Sequence, residues 1–471
     1  MMYRVIYNNV ILGVDAFGGG RRARKKMIGN KPPLARNLMN KKDNIFSLLD
    51  QNGPFATRDE PPATVSFSPE ARSFVSSLQE YGMITKYRLL RNQILEFLDV
   101  KSFQELTPLV ADRQRRAAVS ERAYSLLGNM FGIEGNSREV ISRVYTYSRI
   151  ADGVIHYLSG KVLANYSSYI EMTNEIDSTK NPVDLLLILF DRRYHKKARF
   201  EAKRKLILMN LAGSIDQRER ETDIESKFGQ FLDFLNEHVW SRKAKIGELD
   251  IVYLLSEHLP ENFACSQVEV VEKDRRPGLK PGPNQKLTLV KRRRFEIDGK
   301  EVPIYVSVRK KLPETKVLKL LRKGEENPAV AVDDELGLMG VVDSVAEVKA
   351  FQRHLTRSAS RAGSLMTLEE VSDTLAGGEH LSGSIGSSNR TQMFKFFARM
   401  GGMRVEFILH TNKSYLNYIY QREVSHDEYE VKRIFDSGVA ELLFPPDIYG
   451  IDINEKKEVL VRWFRKRIEE L

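Results

Sequence analysis

Alternating apolar and polar positions predict a β-hairpin in the second half of the chain. The alternating segment 286–297 meets a second alternating run, 302–308, across Asp298-Gly299. Asp-Gly is a preferred two-residue turn in hairpins, because both positions of that turn need a positive φ. Similar patterns predict further strands over 267–272, 336–342 and 403–411.

Apolar residues at helical spacing predict a largely helical region before the hairpin. Ser68-Pro69-Glu70 has the composition of a helix start, with an N-cap serine, a first-turn proline and an acid. The helices predicted in this region cover 68–97, 137–176, a segment opening at 181, 221–241 and 247–258. Residues 66–260 are therefore predicted to form an α-helical domain, whose role the pattern leaves open.

Helical patterns also occur among and after the predicted strands. They cover a short basic stretch that carries Lys316, Lys319, Arg322 and Lys323, then 344–356, the short stretch TLEEVSDTL (367–375), 412–436 and a basic amphipathic segment from about Asn454. The Gly/Ser-rich stretch 357–390, which TLEEVSDTL interrupts, is predicted to be a long loop. Helices followed by a sheet with its own flanking helices predict the α+β fold class.

Composition limits the class of protein. The chain has 471 residues, which predicts two to four domains, and one cysteine, Cys265, which rules out an internal disulfide. A reducing cytoplasm is the simplest compartment for such a chain. No stretch approaches the roughly 18 apolar residues of a membrane helix, and the N-terminus lacks the order of a cleavable signal. We therefore expect a cytoplasmic protein with no membrane partner.

The net charge of +11 is unevenly distributed. Residues 1–43 carry +8 and residues 286–323 carry +9, which predicts phosphate-bearing partners at two places. Residues 1–65 are predicted to be a poorly ordered basic arm that contacts nucleic acid, or alternatively a solvated tail. An RNA contact through this arm and through 286–323 is the partner that the charge favours.

Cations and acids lie close together around residues 309–335. Arg309, Lys310 and Lys311 end a predicted strand, and Asp333-Asp334-Glu335 precede the next one. A nucleotide polyphosphate with a divalent metal requires both kinds of group. A solvated basic helix followed by an acidic turn is the alternative interpretation. The histidines between 156 and 258 have no second ligand at metal-binding spacing.

Four segments in the same order resemble the synthetase domain of the RelA/SpoT family, which makes the guanosine alarmones ppGpp and pppGpp. Together they place the resemblance over residues 286–436. The segments are Arg309–Lys311 with Thr315 and Lys319, then Asp334–Met339, then Val405–Thr411, and finally His426 with Tyr429.

The resemblance implies a nucleotidyltransferase-type mixed sheet flanked by helices. It also implies transfer of the β,γ-pyrophosphate of ATP to a ribose 3′-hydroxyl, with Mg²⁺ as the cofactor. Asp334 and Glu406 would be the catalytic acids and would hold the Mg²⁺. The nucleotide-binding residues would be Arg309, Lys311, Thr315, Lys316, Lys319, Arg390, His426 and Tyr429.

Departures from the family pattern concern mainly the acceptor. Met339 stands where the family usually has arginine, and the segment with the guanine-stacking tyrosine has no counterpart. Arg390, near that place, is a candidate for stacking on a base. Three functions therefore stay open: transfer to GTP or GDP, transfer to the 3′ end of tRNA, and nucleotide or RNA binding without catalysis.

The resemblance completes the predicted domain organisation. The domains are a basic arm (1–65), an α-helical domain (66–260), a RelA/SpoT-like synthetase domain (261–436) and a C-terminal tail with a basic amphipathic helix (437–471).

Overall fold

The computed structural model describes residues 94–102, 105–191, 193–241, 250–324, 327–332, 335–378 and 388–470. The predicted basic arm, the helix start at Ser68 and the acids Asp333 and Asp334 lie outside these residues. Within them the fold is α+β, as predicted, with helices and an eight-stranded mixed sheet. None of the described helices is both long and apolar enough to cross a membrane.

The chain divides into two compact units. The first contains the described residues up to Gln217 together with Pro313–Pro328 and Phe435–Glu455. The second contains Arg218–Leu312, Ala329–Ile434 and the residues from Lys456 onward. The whole sheet belongs to the second unit.

Eight α-helices precede the sheet among the described residues, with a π-helical turn at Leu158–Val162 and another at Leu235–Val239. They are α1 (Leu106–Ala111), α2 (Arg113–Met130), α3 (Ser137–Tyr157), α4 (Ser167–Ile170), α5 (Asn174–Ser178), α6 (Pro182–Phe190), α7 (Lys196–Glu221) and α8 (Ile224–Phe234). Local chemistry fixes their starts. Asn136 and Glu139 form a capping box at α3, and the Asn181 side chain caps α6 with proline in its first turn.

Part of the basic sequence of α7 belongs to a buried polar network in the first unit. Arg204 donates to the Tyr449 hydroxyl at 2.6 Å and to the Leu443 carbonyl at 2.8 Å. The Tyr449 hydroxyl in turn donates to Glu201 at 2.9 Å. Buried charges need such partners, because leaving one unpaired costs several kcal/mol. Arg204 therefore stabilises the first unit through its contacts with Tyr449 and Leu443.

The strands of the sheet are β1 (Asp250–His258), β2 (Cys265–Glu272), β3 (Gln285–Ile297), β4 (Lys300–Lys310), β5 (Leu336–Val342), β6 (Thr367–Asp373), β7 (Phe394–Met400) and β8 (Met403–Thr411). Their order is β2-β1-β3-β4-β5-β8-β7-β6. Only β5 and β8 pair in parallel. The predicted hairpin is confirmed, since Asp298 and Gly299 have φ values of 49° and 80° between β3 and β4.

The remaining helices lie between and after the strands. They are α9 (Pro313–Lys323), α10 (Ala329–Val332), α11 (Val345–Arg361), α12 (Asn412–Tyr420), α13 (His426–Asp436), α14 (Val439–Leu443), α15 (Pro446–Tyr449) and α16 (Lys457–Glu470). The helices predicted for the basic stretch with Lys316 and Lys323, for 344–356 and near the C-terminus are thus confirmed.

The two faces of the sheet carry different side chains. Phe295, Leu338 and Phe407 belong to a large core that includes residues of α8 and α11. On the opposite face a smaller core forms around Val341 and Leu416. That second face also carries the polar groups described below.

Four predicted elements were wrong. The single helix predicted over 137–176 ends at Tyr157, and a π-helical turn, Leu158–Val162, separates it from the short helices α4 and α5. Residues 247–258 were predicted to be helical, but Asp250–His258 is strand β1, because its backbone pairs with both β2 and β3. TLEEVSDTL is likewise not a helix, since Thr367–Asp373 pairs with β7 as an edge strand. The single helix predicted over 412–436 is two helices, α12 and α13.

Candidate functional site

A buried carboxylate, Glu406 on β8, lies at the centre of the candidate site. Its side chain is 7% exposed. One carboxylate oxygen, Oε1, is 2.9 Å from Lys395 Nζ, and the other, Oε2, is 3.2 Å from Arg309 Nη2. Glu406 is therefore held between cations from two other strands.

Strand register brings these groups together. Arg309 on β4 is opposite Gly337 on β5, and Gly337 is opposite Glu406 on β8. Directly opposed residues point to the same face of a sheet, so the arginine and the glutamate share one face. A Cβ at Gly337 would lie 3.3 Å from Arg309 Nε and 3.5 Å from the Glu406 carbonyl oxygen. The glycine therefore leaves the space through which Arg309 reaches Glu406.

The surrounding charges keep Glu406 ionised. Burial raises the pKa of this carboxyl, but Lys311, Lys395 and Arg309 more than offset that effect. Together they lower the pKa of Glu406 to about 2. An opposite charge close to a carboxylate favours its charged form, and three such charges surround this one. The site thus combines a fixed negative charge with a cluster of fixed positive charges.

Two rings from the helices after β8 lie near this cluster. The imidazole of His426 stacks on Tyr418, with ring centroids 5.0 Å apart and planes tilted by 20°. Burial lowers the pKa of His426, and the charge of Arg309 lowers it further against the opposing effect of Glu430, Asp427 and Glu406. Its Nδ1 is buried and has no hydrogen-bond partner among the described residues. His426 is therefore neutral at pH 7 and can accept a proton.

The structure brings together only some of the predicted site residues. Four of them lie in the second unit: Arg309, Lys311, Glu406 and His426. Arg309 and Lys311 lower the pKa of Glu406, and the pKa of His426 depends on the charges of Arg309 and Glu406. Tyr429, also in that unit, lies beneath the Arg433 guanidinium at 5.1 Å from the ring centroid. Asp334 lies outside the described residues. Its neighbour Glu335 is buried and pairs with Lys310 at 3.6 Å.

The other predicted phosphate-binding residues are on α9, which belongs to the first unit. Thr315 is exposed and Lys319 is half-buried. Lys316, by contrast, is only 1% exposed. Burial of this kind is typical of a structural lysine and leaves little surface for a ligand.

Arg390 lines a polar cavity of about 680 Å³ and pairs with Glu423. The cavity is also lined by amide side chains, among them Gln392, Asn417 and Gln421. Its polar lining is compatible with a hydrogen-bonding ligand, whereas the predicted stacking of Arg390 on a base stays a prediction.

Sequence reasoning missed Lys395 and Tyr418. Lys395 was not recognised because β7 was not predicted, although a lysine inside the aromatic run Phe394–Phe397 is unusual for a buried strand. Tyr418 had no distinguishing pattern among the tyrosines of α12. Both residues can be assigned to the site only when the positions of β7 and α12 relative to β8 are known.

The donor set is compatible with a phosphate-bound magnesium ion but not with a preformed metal cage. No group of three or more His, Cys, Asp or Glu side chains converges among the residues that the structure describes. Magnesium is usually held by one or two carboxylates, with substrate phosphates and water completing its shell. The ionised Glu406 supplies one such hard oxygen ligand.

Comparison with known proteins identifies no relative. The chain matches no family model, no curated protein and no solved structure.

Proposed function

We propose that the chain is an ATP-dependent pyrophosphokinase of RelA/SpoT type, with a guanosine nucleotide as the acceptor. The observation that carries this proposal is the ionised, buried Glu406 among Arg309, Lys311 and Lys395. Arg309 and Lys311 are half-buried and offer charge-assisted hydrogen bonds to phosphate oxygens, whereas the buried Lys395 holds Glu406. The four sequence segments that resemble the family supply the reaction type.

Transfer of pyrophosphate needs positioning and charge stabilisation more than covalent chemistry. The acceptor 3′-oxygen attacks the β-phosphorus of ATP, the bond between that phosphorus and the oxygen bridging to the α-phosphate breaks, and AMP leaves. Arg309 and Lys311 stabilise the negative charge that moves onto the leaving group, and Lys395 contributes its positive charge from beneath Glu406. The partly water-excluded surroundings strengthen these effects.

The low pKa of Glu406 limits its role. A carboxylate with a pKa of about 2 is a weak base at neutral pH, because efficient general bases have pKa values near the working pH. Glu406 therefore orients the attacking hydroxyl by accepting its hydrogen bond. The neutral imidazole of His426, with its unpartnered Nδ1, is the better acceptor for the proton.

Magnesium would be held by Glu406 together with Asp334. Bound there, it would neutralise phosphate charge and polarise the β-phosphorus. The ion pairs from Arg309 and Lys395 occupy both Glu406 oxygens in the absence of substrate. We expect phosphate oxygens to draw the half-buried Arg309 away from Glu406 when ATP binds, whereas the buried Lys395 keeps its ion pair with Glu406.

The same two ion pairs favour a second candidate, a binding protein without catalytic activity. If the two cations stay on Glu406, the carboxylate has no free oxygen for a metal. A basic surface would then bind nucleotide or RNA without chemistry.

Radiolabel transfer distinguishes the candidates. The protein is incubated with γ-labelled ATP and magnesium, and GTP, GDP or deacylated tRNA is offered as acceptor. Label in a guanosine polyphosphate supports the proposal, whereas label in tRNA alone assigns a different acceptor. Asp334→Asn and Glu406→Gln should each remove transfer, and Glu369→Gln, at a half-buried carboxylate on edge strand β6, should not. Absence of label from every acceptor would overturn the pyrophosphokinase assignment.

A further inference from the structure

A groove of about 730 Å³ lies between helix α11 and the turn of the β3–β4 hairpin. It belongs wholly to the second unit. Its helix wall carries arginines, and its hairpin wall carries acids. The lining includes Arg353, Arg357 and Arg361 from α11, and Glu296 and Asp298 from the hairpin.

The three arginines form an exposed row. They are four residues apart, so each lies about 6 Å farther along the helix axis than the one before. None of the three forms an ion pair with any residue that the structure describes. Arg361 donates one hydrogen bond to the Ser358 hydroxyl at 3.1 Å. Exposed arginines without acidic partners are free to bind an anion, and a row of them suits an anion with repeated charges.

The hairpin wall limits which anion fits. Glu296 and Asp298 are exposed and form no ion pair with the arginine row in the described structure. Phosphate alone would be repelled by these carboxylates. A ligand with phosphates along one edge and hydrogen-bond donors along the other avoids that repulsion, since carboxylates accept from hydroxyl and amino groups. An RNA strand has this arrangement, with its 2′-hydroxyls and base amino groups as the donors.

The pKa of His354, on the same helix, depends on the charges of the two walls. Its Nε2 lies 2.8 Å from the Val239 carbonyl. Burial lowers the pKa of His354, and Arg361 and Arg357 lower it further, whereas the Val239 carbonyl and Glu296 raise it. Arg357 and Arg361 on the helix wall and Glu296 on the hairpin wall thus act on His354 in opposite directions.

We propose that this groove binds single-stranded RNA, with its phosphates on Arg353, Arg357 and Arg361 and its sugar or base donors facing Glu296 and Asp298. The sequence predicted an RNA contact for the N-terminal arm and for 286–323, a segment that includes the hairpin side of the groove. The helix wall, which supplies the phosphate contacts, lies outside that segment. The inference does not depend on pyrophosphate transfer, because binding is measured without turnover.

Fluorescence anisotropy with a labelled 12-nucleotide RNA tests the proposal. The triple variant Arg353→Gln/Arg357→Gln/Arg361→Gln should bind roughly 10- to 100-fold more weakly than the wild type at moderate salt. Its salt slope should fall by about 2, because three phosphate contacts on a single strand are lost.

A matched control removes three cations from another helix of the same unit. Arg462→Gln/Lys466→Gln/Arg467→Gln on α16 makes the same change in net charge away from the groove. This control should bind RNA within about threefold of the wild type. An equal loss in both triple variants would mean diffuse attraction and would overturn the proposal, as would unchanged binding by the groove variant.

The acidic wall is tested separately with DNA of the same sequence. Wild-type protein should prefer RNA, and Glu296→Ala should reduce that preference while weakening RNA binding less than the triple variant does. Equal affinity of the wild type for RNA and DNA would overturn the role of the acids. Failure to bind RNA at all would overturn the whole inference, whatever the outcome of the transfer assay. Circular dichroism and thermal unfolding verify that each variant is folded.

Discussion

Arg309 Nη2 lies 3.2 Å from Glu406 Oε2, although the two residues are 97 positions apart in the chain. Their contact depends on the parallel pairing of β5 with β8 and on the absence of a side chain at Gly337. Lys395 approaches the same carboxylate from β7. The proposed chemistry therefore depends on the alignment of four strands.

Removing the Glu406 charge should affect both transfer and stability. Glu406→Gln leaves Arg309 and Lys395 without their carboxylate, and breaking a buried ion pair costs about 3–5 kcal/mol. Chemical denaturation measures this loss. Glu369→Gln is the control, because Glu369 pairs with Arg399 and Arg404 near the surface, where ion pairs contribute about 1 kcal/mol or less. Similar losses in both variants would contradict the burial of Glu406.

Acid should weaken the fold through the same carboxylate. The pKa of Glu406 falls from 4.5 to about 2 on folding. Because the folded pKa is the lower one, the stabilisation is present above pH 4.5 and is lost as the pH falls toward 2. It amounts to about 3 kcal/mol. The difference in unfolding free energy between wild type and Glu406→Gln should shrink over this range, and a pH-independent difference would contradict the ionised state.

Gly337→Ala should impair transfer and should lower stability by less than Glu406→Gln does, because Lys395 keeps its ion pair with Glu406. The new Cβ would press against Arg309 Nε and displace the guanidinium from Glu406. Gly340→Ala on the same strand is the matched control. Its Cβ would instead meet Leu409 Cδ2 at 2.9 Å and Ile304 Cδ1 at 3.1 Å, so it should cost about 1–3 kcal/mol without touching Arg309. Initial rates and thermal melts of both variants measure the contrast.

Lys316 and Lys319 should behave differently although they are three residues apart. The buried Lys316 is expected to be structural, so Lys316→Gln should lower the unfolding free energy by about 1–3 kcal/mol. Lys319→Gln should leave stability nearly unchanged and raise the KM for ATP, as the family resemblance implies for a phosphate-binding lysine. Unchanged ATP kinetics in Lys319→Gln would contradict the phosphate-binding role that the resemblance implies for this lysine.

Sequence patterns predicted the strands whose two faces differ in polarity. The hairpin of β3 and β4 and the strand β8 were found this way, because their alternation matches one buried and one polar face. Strand β1 was mistaken for a helix, since Ile251, Val252, Leu254 and Leu255 fit either period over so short a run. The backbone pairing of β1 with β2 and β3 makes this segment a strand.

The polar edge strand β6 shows a different limit. Thr367–Asp373 has the composition of a helix start, yet it pairs with β7, and Glu369 binds Arg399 and Arg404. Contacts between residues 30 or more positions apart are not encoded in local periodicity. For the same reason Arg309 and Glu406 could be nominated singly, through the family resemblance, whereas the contribution of Lys395 could not.

Strand β8 has one further consequence. Phe407 and Leu409 point into the large core, whereas Glu406 points to the opposite face. A shift of this strand by one residue against its neighbours would place Glu406 in the hydrophobic core and move Phe407 out of it. A register shift of β8 would therefore destabilise the fold and misplace Glu406 at the same time. Only molecules with the correct strand register are both stable and able to form the site.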